Sequence, residues 1–93
     1  MYKILIVDDE PWIIKGLSAS CQWEDYDCEV VYTTTNPKEA LKYILENEPD
    51  IVFTDIKMDE MTGIDLIRRT RQALNQNLSL LVDSANLIML KTV

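Results

Sequence analysis

Residues 4–11 read ILIVDDEP, four aliphatic residues running straight into three carboxylates and a proline. The apolar run belongs to a longer β-rich segment, YKILIVD at residues 2–8, in which apolar and polar residues do not alternate. That pattern predicts a strand covered on both faces. Pro11 fits the first turn of a following helix, whose apolar positions include Ile13, Ile14 and Leu17. Asp8, Asp9 and Glu10 thus sit at the carboxyl end of a buried strand, where like charges repel. Such a cluster is costly unless a cation or a proton compensates it.

Working outward, QWEDYD (22–27) breaks the helical pattern and CEVVYTT (28–34) reads as a second strand. Asn36 caps a helix with Pro37 at its first position, and Ala40, Leu41, Ile44 and Leu45 form its apolar stripe. Glu48-Pro49 ends that helix. DIVFTD (50–55) is a third strand, again ending in an acid. From Gly63 to about Leu74 the chain looks helical, with Ile64, Ile67 and Leu74 on one side, and LSLLVD (78–83) reads as a fourth strand. The order β-α-β-α-β-α-β predicts an α/β fold, a doubly wound parallel sheet with right-handed crossovers and helices on both faces. Ligands bind such sheets beyond the carboxyl ends of the strands, at the switch in strand order. Asp8, Asp9 and Asp55 meet there if the first and third strands are neighbours.

Composition narrows the chemistry. A chain of 93 residues without an internal repeat predicts one compact domain, and 47% hydrophobic residues with two glycines and three prolines argue against disorder. The formal net charge of −7 disfavours direct nucleic-acid contact by this segment, or binding to an anionic membrane. Apolar runs are too short to span a membrane, and the N-terminus does not read as a signal peptide, so a cytoplasmic location is expected. Cys21 and Cys28 suit neither a zinc site nor a redox pair and are read as reduced thiols. With no histidine in the chain, Ser-His and Cys-His nucleophile pairs are excluded. No G-x-G-x-x-G follows the first strand, which argues against a dinucleotide site.

Carboxylates must therefore carry any chemistry. An all-oxygen set with open positions suits Mg²⁺, which keeps several waters and bridges carboxylate to phosphate. A carboxylate beside that ion can also act as a nucleophile toward a phosphoryl group, giving an acyl phosphate. The plainer alternative is that the acids terminate strands or cap helices, Asp9 or Glu10 gaining from a helix dipole. That alternative weakens when acids end two separate strands.

ILIVDDEP, followed some way on by TDIKMDEMTGIDLI (54–67), resembles the receiver domain of bacterial two-component response regulators. In that family a paired acid follows the first strand, and the third ends in the phospho-accepting Asp of a D-I-x-M-P-x-M-x-G loop. Asp55, Met58, Met61 and Gly63 match it, and the resemblance covers about residues 2–77. WEDYDCEVV and NPKEAL are similar to the subgroup that precedes a helix-turn-helix DNA-binding module. The resemblance implies a flavodoxin-like sheet of strand order 2-1-3-4-5, incomplete after the fourth strand. It implies phosphoryl transfer from a sensor histidine kinase to Asp55. It also implies Mg²⁺ bound by Asp9, Asp55 and the backbone carbonyl of Lys57, with Asp8 helping through water. Asp59 stands where the family has proline and reads as a solvated loop acid.

The family also implies a Ser or Thr ending the fourth strand, for which Ser84 is the in-frame candidate, and a Lys ending the fifth. Lys91 is not taken for that lysine, because a parallel crossover to its strand requires a fourth helix. Residues 1–77 are thus expected to be a partial, C-terminally truncated receiver domain and 78–93 an atypical tail, either a fourth strand or a frameshift product. Codons permitted for Ser79 to Lys91, read in a shifted frame, can spell I-I-S-G-F-x-x-F-D-Y-(V/A)-K. This is similar to the family's continuation, I-I-S-G-Y-x-x-F-x-Y-A-K, and the coding DNA tests it. The apolar tail is expected to pair with the third strand's edge or with another chain, giving self-association. The expected function is a phospho-accepting receiver rather than a classical enzyme. The alternatives are a Mg²⁺-dependent phosphohydrolase with Asp55 as nucleophile, disfavoured by Lys57 where a second acid is wanted, and a phosphorylation-independent interaction domain.

Overall fold

The computed structural model describes residues 1–19, 22–58, 60–74, 78–82 and 86–91. Its elements are β1 (Tyr2–Val7), α1 (Pro11–Ala19), a 3-10 turn (Trp23–Tyr26), β2 (Cys28–Thr34), α2 (Pro37–Asn47), β3 (Ile51–Asp55), α3 (Gly63–Leu74), β4 (Leu78–Val82) and β5 (Asn86–Lys91). They form one five-stranded sheet in the order β2-β1-β3-β5-β4. β1 lies between β2 and β3 and is parallel to both, which makes the first three βα units a doubly wound receiver-type fold.

The lack of alternation in β1 has the expected cause. Leu5 and Val7 join Ala40, Ile44, Val52, Met58, Met61, Leu66 and Ile67 in the core under α2 and α3. Ile4 and Ile6 point the other way, into a core with Ile14 that Leu17, Trp23, Val30, Ile51 and Phe53 extend. A strand between two layers needs apolar side chains at every position. The Trp23 and Phe53 rings meet edge-on with centroids 5.8 Å apart, closing the α1 side. At the other end of β1, Lys3 and Asp50 exchange two bonds, Lys3 N to Asp50 Oδ2 at 2.8 Å and Asp50 N to Lys3 O at 2.9 Å. These fix the start of β3 against β1.

The helix boundaries follow local chemistry. The Asn36 side chain accepts from the Lys38 N–H at 2.9 Å, and Pro37 occupies the first turn, where no amide donor is missed. Glu48 ends α2 in the left-handed region, with φ 47°. Thr62 caps α3 by accepting from the Asp65 N–H. The α3 stripe differs from the expected one: Gly63, Leu66, Ile67 and Thr70 are buried, whereas Ile64 is 51% exposed. Ile64 follows the loop's consensus glycine, but the buried stripe is set by Leu66 and Ile67, which face the sheet. Leu45, expected in the α2 stripe, is likewise exposed.

Beyond β3 the strand order requires a correction. LSLLV does form a fourth strand, yet it is not the parallel neighbour of β3 that the 2-1-3-4-5 order calls for. β5 occupies that place, antiparallel to β3, with Asp55 opposite Asn86 and Ile51 opposite Leu90. β4 pairs antiparallel with β5 on its far side. Only three residues separate Val82 from Asn86, and so short a connection can join antiparallel neighbours but not parallel ones. The tail therefore pairs with the edge of β3, as its apolar character predicts.

Candidate functional site

The chain's parallel strands bring three acids from two of them to one place. Asp8 leaves β1 and is only 4% exposed; Asp9 and Asp55 are half-buried. Each of the three offers a carboxylate oxygen within 4.8 Å of the others. The backbone holds them there. The Asp8 N–H donates to Thr34 O at 3.2 Å, tying the exit of β1 to the end of β2. Asp8 Oδ1 accepts from the Glu10 N–H at 3.0 Å, which turns the chain toward α1. Asp55 Oδ1 accepts from the Lys57 N–H at 3.4 Å, bending the chain back after β3.

Burial pushes the Asp8 carboxyl above its ordinary value of 3.8, against the stabilising Glu10 N–H, and the charges of Asp55, Asp9 and Glu10 push it further. The charged form is disfavoured because water has been replaced by protein and by other anions. Hard oxygen donors, net negative charge and partial exposure together fit a small divalent cation that retains waters.

Support comes from beneath. Thr54 is buried, its hydroxyl donating to Asp55 O at 3.0 Å and lying 4.0 Å from Met58 Sδ. Met58 and Met61, which carry the loop's sequence signature, are buried in the core rather than presented at the site. The Gly63 N–H donates to Ile56 O at 2.9 Å, closing the loop after β3 onto the start of α3.

A cavity of about 260 Å³ opens beside the acids, lined by Asp9, Thr35, Asn36, Pro37 and Glu60. A larger one, about 560 Å³, lies at the other end of the strands around Trp23 and Cys28 and holds none of the three acids. Over the smaller cavity, Lys38 Nζ lies 3.5 Å from Glu60 Oε2, an exposed pair between α2 and the loop after β3. These rim residues were missed in the sequence, where Asn36-Pro37 carried only a capping signal. The signal for them is the parallel pairing of β1 with β2, which sets Thr35, Asn36 and Pro37 beside Asp9.

Asp8, Asp9 and Asp55 come together, and Lys57 is in the same turn as Asp55. Ser84 and Asp59 lie outside the described residues. Lys91 ends β5, next to Leu90, which pairs with Ile51. It is thus at the opposite end of β3 from Asp55, about 16 Å away along the strand at 3.3 Å per residue.

Comparison with known proteins agrees with this geometry. The response regulator receiver domain family matches residues 4–88. An uncharacterized response regulatory protein of Staphylococcus epidermidis is 43% identical over 67 residues, which are 72% of this chain and 27% of that protein. The transcriptional regulatory protein HptR of Staphylococcus aureus is 40% identical over the same shares. The chain thus spans about a quarter of the length of these relatives. Among solved structures, the REC domain of AraT, a response regulator from Geobacillus stearothermophilus, superposes with a TM-score of 0.73 at 35% identity. That match covers 80% of this chain and 57% of the other. A two component transcriptional regulator AraC from Clostridium phytofermentans gives 0.70 at 29% identity, covering 77% and 58%. With the acids of β1 and β3 converging as such a fold requires, the chain belongs to the response regulator receiver domain family.

Proposed function

We infer that this chain is the phospho-accepting unit of a two-component response regulator, with Asp55 as acceptor. The observation that carries the reading is the convergence of Asp8, Asp9 and Asp55 from the ends of two parallel strands. A carboxylate oxygen of Asp55 attacks the phosphorus of a phosphohistidine on the partner kinase. The P–N bond breaks, the imidazole leaves with the electron pair and takes a proton, and an acyl phosphate remains. Water later attacks that phosphorus and returns Asp55 and inorganic phosphate.

Asp9, Asp55 and the Lys57 carbonyl are the residues that would hold Mg²⁺ directly, Asp8 assisting through water. The ion supplies charge neutralisation on the phosphoryl oxygens. Asp8 contributes negative charge that makes the site wait for a cation, and Thr54 and the Lys57 N–H orient Asp55. Residues 1–77 form the receiver unit in this reading, and 78–93 an atypical tail that contributes β4 and β5. The partner is a cytoplasmic-facing sensor kinase; the output is transcriptional, through a DNA-binding module of a longer protein. The relatives named as transcriptional regulators support that output. Among the described residues no helix is long and apolar enough to cross a membrane.

The test is incubation with Mg²⁺ and a small acyl phosphate or beryllofluoride, read by intact mass and by ¹⁹F resonance. The chain gains one acid-stable, base-labile phosphoryl group, and Asp55→Asn gains none. Equal labelling of Asp55→Asn moves the acceptor elsewhere. No labelling of either leaves the domain an interaction module and defeats the reading.

A further inference from the structure

β4 is the last strand of the sheet on the side away from β2. Among the described residues, one row of its backbone N–H and C=O groups therefore faces no strand. Sheet edges are normally guarded by charge, proline or a bulge, because an open row is a template for another strand. The opposite edge has such guards: β2 carries Glu29, and its register against β1 shifts between Ile4 and Leu5. β4, Leu78–Val82, contains no charged residue, no proline and no glycine.

Charge separates the two margins further. After Leu74 the only charged residues are Asp83 and Lys91, which cancel, so residues 1–74 carry the whole formal charge of −7. Two copies approaching through their acid-cluster ends, where Asp8, Asp9, Asp55 and Glu60 lie, meet like charge; through β4 they meet a neutral margin. We propose that β4 pairs antiparallel with β4 of a second copy about a two-fold axis at Leu80, joining the two sheets. In this register Leu80 faces its own copy, Leu78 faces Val82 and Ser79 faces Leu81, so no charge is placed opposite another. The contact is isologous and closes, leaving no open β4 edge on either copy. Its direction continues the antiparallel pairing of β4 with β5. So short a pairing belongs to the small, transient class of interfaces.

Sedimentation equilibrium of the 93-residue chain over a micromolar to sub-millimolar series shows the mass rising toward twice that of the monomer. Ser79→Lys weakens the dimer by roughly tenfold or more, since it puts a charge in the paired edge. Glu46→Lys, on the exposed side of α2, leaves the association unweakened. Circular dichroism confirms that each variant is folded. Should Ser79→Lys fail to fold, Leu80→Cys in a Cys21→Ser, Cys28→Ser background carries the test. Two cysteines facing each other in an antiparallel pair lie within disulfide range, so mild oxidation gives a covalent dimer. Glu46→Cys in the same background gives little. A chain that stays monomeric throughout, a dimer untouched by Ser79→Lys, or cross-linking as efficient through Glu46→Cys each overturns the proposal.

Discussion

Replacing Asp8 with Asn should make the cation-free protein more stable. The Asn amide oxygen can still accept the Glu10 N–H that Asp8 Oδ1 accepts at 3.0 Å, so the substitution removes charge and little else. Asp8 has carboxylate oxygens of Asp9 and Asp55 within 4.8 Å. At that separation a pair of like charges costs roughly 3.5 kcal/mol at an effective dielectric of about 20, and roughly 0.9 kcal/mol in water. Asp9 and Asp55 are half-buried, so a gain of about 1–3 kcal/mol at neutral pH is expected, between these limits. For a domain of this size each kcal/mol is worth about 4–8 °C in Tm. Thermal melts in a chelating buffer should therefore place Asp8→Asn at least ~4 °C above the unsubstituted chain. The pH profile adds a second signature. The folded chain keeps the Asp8 proton above 3.8, where the unfolded chain has released it. Its stability therefore falls as pH rises from about that value through the raised folded value. Asp8→Asn lacks this component, and the two proteins converge at lower pH. Mg²⁺ narrows the gap, because a ligand at a hundred times its Kd stabilises the chain that binds it by about 2.7 kcal/mol and Asp8→Asn, lacking the water-mediated helper, binds it more weakly. Equal or lower stability of Asp8→Asn in chelator would refute the view that a buried Asp8 charge among like charges destabilises the cation-free chain.

Other expectations concern the scaffold. Gly16 lies inside α1 with nothing within 4 Å of where a Cβ would stand, so Gly16→Ala should stabilise by about 0.5–1 kcal/mol in urea titration. Glu48 caps α2 at φ 47°, a conformation that costs a residue with a Cβ roughly 1 kcal/mol. Glu48→Gly should gain much of that, measured the same way, and an unchanged midpoint would argue that its side-chain interactions offset the strain. Asn36→Ala removes the acceptor for the Lys38 N–H and should lose about 1 kcal/mol, visible as a lower Tm. Leu66 is fully buried between α3 and the sheet; Leu66→Ala should lose about 2–5 kcal/mol, enough to leave much of so small a domain unfolded.

The parts of the fold that local chemistry dictates were legible in the sequence. The unbroken apolar run of β1, the Asn36-Pro37 cap and the acids ending β1 and β3 each have one dominant physical cause, and each was found in place. Parallel order followed from the alternation of strands and helices, and with it the meeting of Asp8, Asp9 and Asp55. What failed depended on long-range competition. LSLLV reads as a strand, but nothing local says that LIMLK forms another and takes the place beside β3. The short 82–86 connection requires only that these two strands be antiparallel to each other, which holds whichever of them adjoins β3. Ile64 and Ile67 share helical spacing, which predicts both in the buried stripe, yet Ile64 is exposed. Leu66, two residues along, claims the position facing the sheet, and only the packed core shows which neighbour wins. Glu60 and Lys38 were invisible for the same reason: far apart in sequence, they meet because α2 and the loop after β3 end on the same rim.

Thr34 has a wider reach than its place at the tip of β2 suggests. Its carbonyl accepts from the Asp8 N–H, and its hydroxyl accepts from the Asn36 N–H while donating to Glu39 Oε2 at 2.9 Å. The first turn of α2 and the deepest acid of the cluster are therefore two hydrogen bonds apart, joined through one residue that belongs to neither. Thr34 thus ties the start of α2 to the peptide that carries Asp8. The acid site is in this sense wired to the outer surface of the second helix, and threonine is the junction.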